Sequence, residues 1–231
     1  VTPAWKLFTC TVGLVAVPGP RGVNVMACEW SYVVNKDPLL VAVVLGPRTA
    51  SRPLIEDAGA FAITFCAEDQ AELADFAGSC SVTEVDKATS DALTLRPGRH
   101  TPWVAGGVLA VECRLRQIVP LPVHTMYVAE VLAEHRSTPA PRPLVKHGGM
   151  HRLGEPVGRT AVVAATRRLD SGRVRVVATG PGEGPWRVDG ADAGPGDARG
   201  RLVADVPVAE GARQVRVERD GARPGTAAVT G

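Results

Sequence analysis

Seven consecutive apolar residues, Leu39–Leu45, run between Asp37-Pro38 and Gly46-Pro47. A half-exposed strand alternates apolar with polar residues. This run does not, so it reads as a strand buried on both faces. Proline and glycine at its borders fix its length. It is far short of the roughly 20 apolar residues of a membrane-spanning helix, as is Leu14–Val17, so no membrane association is expected.

The elements around it are also short. Leu7–Val17 is a β-rich run, Pro18–Gly22 a hairpin turn and Val23–Ala27 the return strand. Phe61–Phe65, Val108–Val119 and Met126–Ala133 are further strands, the last two joined by Pro120-Leu121-Pro122. Two helices interrupt them. Arg52–Ala58 sets Leu54, Ile55 and Ala58 on one side and ends at Gly59. Glu68–Ala77 is acidic in its first turn, carries Leu73, Ala74 and Ala77 on one face, and stops at Gly78. Ser79–Leu95 reads as loop with a turn of helix.

Composition narrows the class. With 45% hydrophobic and 22% charged residues the chain folds, which excludes disorder throughout. At 4% aromatics, the core is built from Val, Leu, Ala and Ile. A net charge of +2 with no long basic block argues against a nucleic-acid binder. Five widely spaced cysteines, an odd number, imply no disulfide framework and fit a reducing cytoplasm. Nothing near Lys6, Cys10 and Thr11 reads as a signal peptide, although the chain opens on Val1 and residues upstream are left open.

From about Gly158 the character changes: no Cys, His or Phe, and many Arg, Gly, Asp and Val. Arg173–Ala178, Trp186–Val188, Arg201–Val206 and Gln214–Val217 alternate, separated by Gly180–Pro185 and Gly190–Gly200. We expect residues 1–157 to form one domain and 158–231 a small β-rich unit, with a low-complexity extension as the alternative.

Most catalytic constellations are missing. There is no Gly-x4-Gly-Lys-Ser/Thr loop, and Gly180–Gly184 reads as a turn. No dinucleotide fingerprint, Cys-x-x-Cys pair or Gly-x-Ser-x-Gly elbow exists. His147 and His151 stand four apart, but Gly148-Gly149 between them speaks against a helix, so they read as loop residues and no metal is expected. One turn does gather useful groups. Arg48, Thr49, Ser51 and Arg52 bring hydroxyls, two guanidinium groups and helix N-terminal N–H donors together, which suits a phosphate; a capped helix start with solvated arginines is the plainer alternative.

In order along the chain, Gly22, Asn24, Met26 and Trp30, then Asp37-Pro38-Leu39-Leu40-Val41, then Arg48 to Ser51 ahead of Leu54-Ile55, form a set. Val85-Asp86-Lys87, Leu93-Thr94-Leu95, Leu109–Cys113, His124-Thr125, Tyr127, Glu130-Val131, His147-Gly148-Gly149 and Arg152-Leu153-Gly154 continue it. Across about residues 5–156 this resembles the flavin reductase-like, FMN-binding split-barrel family, which includes flavoredoxins and the reductase components of two-component monooxygenases.

The resemblance implies a mainly β fold: a six-stranded antiparallel split barrel with short helical insertions, usually a homodimer. It implies FMN, or FAD, as cofactor and NAD(P)H as co-substrate, with reduced flavin passed to a monooxygenase partner. Met26, Ala27, Cys28, Glu29, Trp30 and Ser31 would lie along the flavin ring, with Asn35 at the position where a serine is usual. Arg48, Thr49 and Ser51 would hold the phosphate, with Lys87 adding charge. His124 would sit near flavin or nicotinamide. Ala27 and Glu29 replace hydroxyl residues of the family pattern; Glu29 would repel an anionic reduced flavin, face solvent, or act as an acid/base on a substrate. Alternatives to a reductase are a non-enzymatic FMN electron carrier and a barrel repurposed for another small-molecule step.

Overall fold

The computed structural model describes residues 2–19, 22–170 and 172–229. The chain divides into two compact units, Val1–Gly154 and Glu155–Gly231.

The first unit runs β1 (Cys10–Thr11), β2 (Gly13–Gly19), β3 (Gly22–Cys28), β4 (Ser31–Lys36), β5 (Leu39–Leu45), α1 (Ser51–Ala58), β6 (Ala60–Phe65), α2 (Ala71–Ser79), β7 (Leu95–Arg96), β8 (Trp103–Val104), β9 (Leu109–Pro120), β10 (Thr125–Arg136), β11 (Leu144–His147) and β12 (Gly149–Arg152). Its main sheet is antiparallel, in the order β3-β2-β6-β9-β10-β5-β4. The two edge strands, β3 and β4, are consecutive in the chain and joined only by Glu29-Trp30. A sheet whose edges are tied by so short a link must curl until they meet. Two hydrogen bonds stitch this seam: Val44 N–H donates to the Trp30 carbonyl at 2.9 Å, and Ser31 Oγ to the Cys28 carbonyl at 3.0 Å. The result is a split barrel, with seven strands rather than six because β4 extends the sheet.

The apolar run Leu39–Leu45 is β5, flanked by β4 and β10. Val41, Val43 and Leu45 pack inside the barrel against Val15, Phe61, Ile63 and Tyr127. A second cluster, with Leu14, Ala16, Leu73, Ala74 and Ala77, lies between the sheet's outer face and α2. Burial of these side chains at about 25 cal/mol per Å² of apolar surface is what holds both helices to the sheet.

Several sequence expectations need correction. Leu7–Val17 is not one strand. Ala4–Leu7 is a 3-10 turn, β1 pairs with β11 in a separate small sheet, and β2 joins the barrel. The crossing point is tight: a Cβ on Gly13 would lie 2.7 Å from Ile63 Cδ1 and 2.9 Å from Ser31 Oγ. Of the expected turn Pro18–Gly22, Pro18 and Gly19 belong to β2 and Gly22 to β3, while residues 20 and 21 lie outside the described residues. Ala58 is exposed, and α1 buries Ser51 and Ile55. A 3-10 turn, Glu68–Gln70, precedes α2, which runs through Gly78 to Ser79. Gly78 is therefore a helical residue rather than the stop, and it lies over β3, where a Cβ would be 3.4 Å from Ala27 Cβ. His147 and His151 lie in the paired strands β11 and β12, not in a loop.

The second unit is a β-sandwich of β13 (Val163–Asp170), β14 (Arg173–Thr179), β15 (Glu183–Val188), β16 (Ala191–Gly194), β17 (Leu202–Pro207), β18 (Gln214–Asp220) and β19 (Gly225–Ala228). Sheet β13-β14-β17 and sheet β16-β15-β18-β19 share one core. Val174, Val176 and Leu202 from the first meet Trp186, Val215 and Val217 from the second. The four alternating runs of the sequence lie in β14, β15, β17 and β18, except that Arg201 precedes β17; β13, β16 and β19 are not among the sequence expectations. Ala191–Gly194 falls inside a segment that reads as a Gly-rich spacer.

Candidate functional site

Where β5 ends, Gly46 and Pro47 turn the chain into α1. Thr49 N–H donates to the Gly46 carbonyl and Arg52 N–H to the Thr49 carbonyl, both at 3.2 Å. Ala50, at the N-cap, has no side chain that can cap the helix. The N–H groups of Ala50 and Ser51 therefore find no acceptor among the described residues. Ser51 is buried, and its Oγ accepts from Asn24 Nδ2 at 2.7 Å, which leaves the hydroxyl proton to be donated elsewhere. Arg48 is exposed and has no ion-pair partner among the described residues.

Arg52, expected as the turn's second guanidinium, points away. Its Nε donates to Tyr127 Oη at 3.2 Å and its Nη2 to Thr125 Oγ1 at 2.7 Å. Tyr127 Oη in turn donates to Glu56 Oε1 at 2.5 Å. Arg52 thus braces α1 against β10, and one cation is left on the turn.

This turn forms one wall of a cavity of about 590 Å³. Asn24, Met26 and Ala27 of β3 form another wall, and the end of α2 with Cys80 and Ser81 a third. Lys87 also reaches it, but its ammonium donates to the carbonyls of Val25 at 2.7 Å and Ala77 at 2.9 Å. Two of its three donors are thus spent tying β3 to α2. Burial pulls its pKa down, against the nearby Cys80 and Glu84.

A second cavity, of about 490 Å³, shares Met26, Ala27, Gly46, Thr49 and His124 with the first. Cys28, Glu29, Trp30, Val44, Leu45 and Trp5 complete it. His124 packs on Trp30 with ring centroids 4.8 Å apart, and Trp5 meets Trp30 edge-on at 6.3 Å. Cys28 is buried, which pushes its thiol pKa up and makes it a poor nucleophile. Glu29 Oε1 sits 3.0 Å from Lys146 Nζ, so its charge is paired.

The fold therefore brings Met26, Ala27, Cys28, Glu29, Trp30, Arg48, Thr49, Ser51, Lys87 and His124 around two joined cavities. Ser31 and Asn35 line neither. Ser31 is buried in the seam, and Asn35 Nδ2 donates to the Pro38 carbonyl at 2.7 Å within the β4–β5 hairpin. Three contributors were not anticipated: Lys146, Trp5 and the end of α2. Asn24 stood in the motif without a role. Nothing in local spacing links residue 146 to residue 29; the pairing of β1 with β11 does. Among the described residues no cluster of three or more His, Cys, Asp or Glu is arranged to hold a metal.

Residues 5–154 match the family described as "Flavin reductase like domain". The chain belongs to this family. The FMN-binding protein of Thermus thermophilus, solved with bound p-hydroxybenzaldehyde, has the same fold at a TM-score of 0.63 and 23% identity, covering 68% of this chain and 94% of that one. The NADH:FAD oxidoreductase SgcE6 of Streptomyces globisporus gives 0.60 and 23%, covering 65% and 90%. An uncharacterized protein of Pyrococcus abyssi is 28% identical over 112 residues, 48% of this chain; the match spans 64% of that relative's length. The family match stops where the first unit ends, so the β-sandwich lies outside it.

Proposed function

We propose that the chain is an NAD(P)H-dependent flavin reductase that binds FMN or FAD. The observation that carries this is the turn at Arg48–Ser51, which lines one cavity and gathers a guanidinium without an ion-pair partner among the described residues, a Ser51 hydroxyl and helix N-terminal N–H groups. That donor set fits a phosphate. Arg48, Thr49 and Ser51 would hold it, and Met26 to Trp30 would lie along the flavin ring. The second cavity, walled by Trp30 and His124, then suits a flat nicotinamide next to the flavin. Flavin, when bound, supplies the redox chemistry. The protein's own part is to hold two rings in contact, to exclude water with Trp5 and Trp30, and to offer donors where negative charge grows. SgcE6, which is named an NADH:FAD oxidoreductase, supports the nicotinamide reading. Lys146 compensates Glu29, so the departure at that position is compatible with flavin.

We further propose a homodimer in a reducing cytoplasm, handing reduced flavin to a monooxygenase. The exposed apolar run Tyr32-Val33-Val34 on edge strand β4 supports pairing between copies. All five cysteines are free thiols. No helix among the described residues is long and apolar enough to cross a membrane. The test is direct: purified protein with NADH or NADPH and added FMN or FAD should oxidise the nicotinamide well above the protein-free rate. Tight FMN binding with no turnover would turn the assignment to an electron carrier, and no binding at all would remove it.

A further inference from the structure

The β-sandwich has an outer face whose apolar side chains its own core does not use. In the sheet β13-β14-β17, Val174, Val176 and Leu202 point into the core, so the residues alternating with them point out. The register lines up Ala165, Val177 and Val203 in one row across the three strands, with Val163 beside it. Val163 is 70% exposed, Val203 50% and Val177 37%. The outward positions of a sandwich are ordinarily polar, so a row of aliphatic side chains there is surface that a partner would cover. The next row is charged: Arg167, Arg175 and Asp205. Arg175 takes both oxygens of Asp205, Nε donating to Oδ1 at 2.7 Å and Nη2 to Oδ2 at 2.9 Å. Arg173, one row further on, donates from Nη2 to the Asp205 main-chain carbonyl at 3.1 Å. Arg167 is exposed, stands directly opposite Arg175, and has no hydrogen bond or ion pair among the described residues. Like charges facing each other across strands are unfavourable until an anion comes between them. Arg175 first, then Arg173 and Arg167, hold the Asp205 carboxyl below the usual carboxylate range against its desolvation, so three guanidinium groups act on that one carboxylate.

We propose that this face docks a partner protein through an acidic segment that also carries aliphatic side chains. The row of Ala165, Val177 and Val203 buries against those side chains, and the segment's carboxylates meet Arg167 and Arg173 at its border. Arginine suits this role: its planar fork takes a carboxylate in two hydrogen bonds, and it is enriched at interfaces where lysine is depleted. Residues 155–231 contain no lysine. The aliphatic row favours a protein over a nucleic acid, whose phosphates would use the cations and leave the valines exposed. The face lies outside residues 5–154, the part that matches the flavin reductase family, so the inference is independent of the flavin reading.

The probes are short synthetic peptides in which glutamate alternates with leucine, lysine with leucine, or glutamate with serine. In a fluorescence-anisotropy titration of the full-length protein, only the glutamate–leucine peptide should bind, and more weakly as salt is added. Val203→Asp and Arg167→Glu should each weaken it roughly fivefold or more. Both positions are exposed, so both variants should keep the wild-type thermal midpoint. Arg213→Glu changes an exposed arginine outside these three strands and should leave binding as it is. No binding of the glutamate–leucine peptide, or binding that survives both substitutions, overturns the proposal. Equal binding of the glutamate–serine peptide also overturns it, because the valines then contribute nothing. A DNA duplex that binds wild type but not Arg167→Glu, with no peptide bound, gives the face to nucleic acid instead.

Discussion

Lys146 Nζ and Glu29 Oε1 stand 3.0 Å apart, joining β11 to the seam between β3 and β4. Both side chains are partly exposed, so the pair is worth about 1 kcal/mol at most, a factor of roughly fivefold. Its place matters more than its strength: Glu29 lines the cavity assigned to stacked rings, and Lys146 keeps that carboxylate from acting as a bare anion. Lys146→Met should weaken reduced FMN about fivefold and oxidised FMN less. Glu29→Gln in the same protein should restore both. Equal affinities for the two redox states in wild type and Lys146→Met would show that the pair is not felt at the flavin.

Arg48→Ala tests the phosphate turn. A charge-assisted contact to phosphate contributes about 1.5–3 kcal/mol, so FMN affinity should drop by roughly 10- to 100-fold. Riboflavin, which has no phosphate, should bind the variant as it binds wild type. FMN affinity in wild type should also fall with added salt more than riboflavin affinity does. A variant that loses both ligands equally would move Arg48 from the phosphate to the fold.

What the sequence revealed and what it hid have physical reasons. β5 was legible because seven apolar residues between prolines and glycines have few other options. α1 was legible because Gly59 adopts φ 60° and its N–H closes on the Ile55 carbonyl. β4 was hidden because Tyr32, Val33 and Val34 are all exposed, so the edge strand carries no alternation. Within the candidate site, residues next to each other in sequence were legible as a turn or a strip. Arg52 was misplaced because its partners, Tyr127 and Thr125, lie more than 70 positions away. Lys146 was invisible for the same reason: strand pairing, not spacing, delivers it.

Glu112 anchors a different part of the barrel. It is fully buried in β9 and accepts from the backbone N–H groups of Arg99 at 3.2 Å, His100 at 2.5 Å and Thr101 at 3.1 Å. His135 Nε2 lies 2.7 Å from its Oε1, with that ring stacked on Trp103. Burial pushes the carboxyl pKa up, but these four contacts outweigh it and hold the group below the usual carboxylate range. Because the folded value is depressed, the stabilisation is complete above the unfolded value of about 4.3 and fades as pH falls through the lower, folded one. Glu112→Ala should cost about 3 kcal/mol at neutral pH, read from urea midpoints. The gap to wild type should narrow below about pH 4. A gap constant with pH would assign the loss to packing rather than to the carboxylate.

Cysteine chemistry gives a footprint of the first cavity. Burial pushes the Cys66 thiol up to about 12 and raises Cys113 further, with the Glu112 charge adding to it. Cys28 is raised by burial as well. None of these three should react with iodoacetamide in the folded protein at about pH 8, where almost no thiolate exists. Cys80 is only half-buried and lines the phosphate-side cavity next to Ser81. It should be alkylated first, and saturating FMN should slow its labelling severalfold by covering it. Cys10, half-buried outside that cavity, serves as the internal control, since its slower labelling should not respond to FMN. Mass mapping of the modified peptides would read all five at once, and labelling of Cys80 that FMN leaves untouched would place the flavin away from the end of α2.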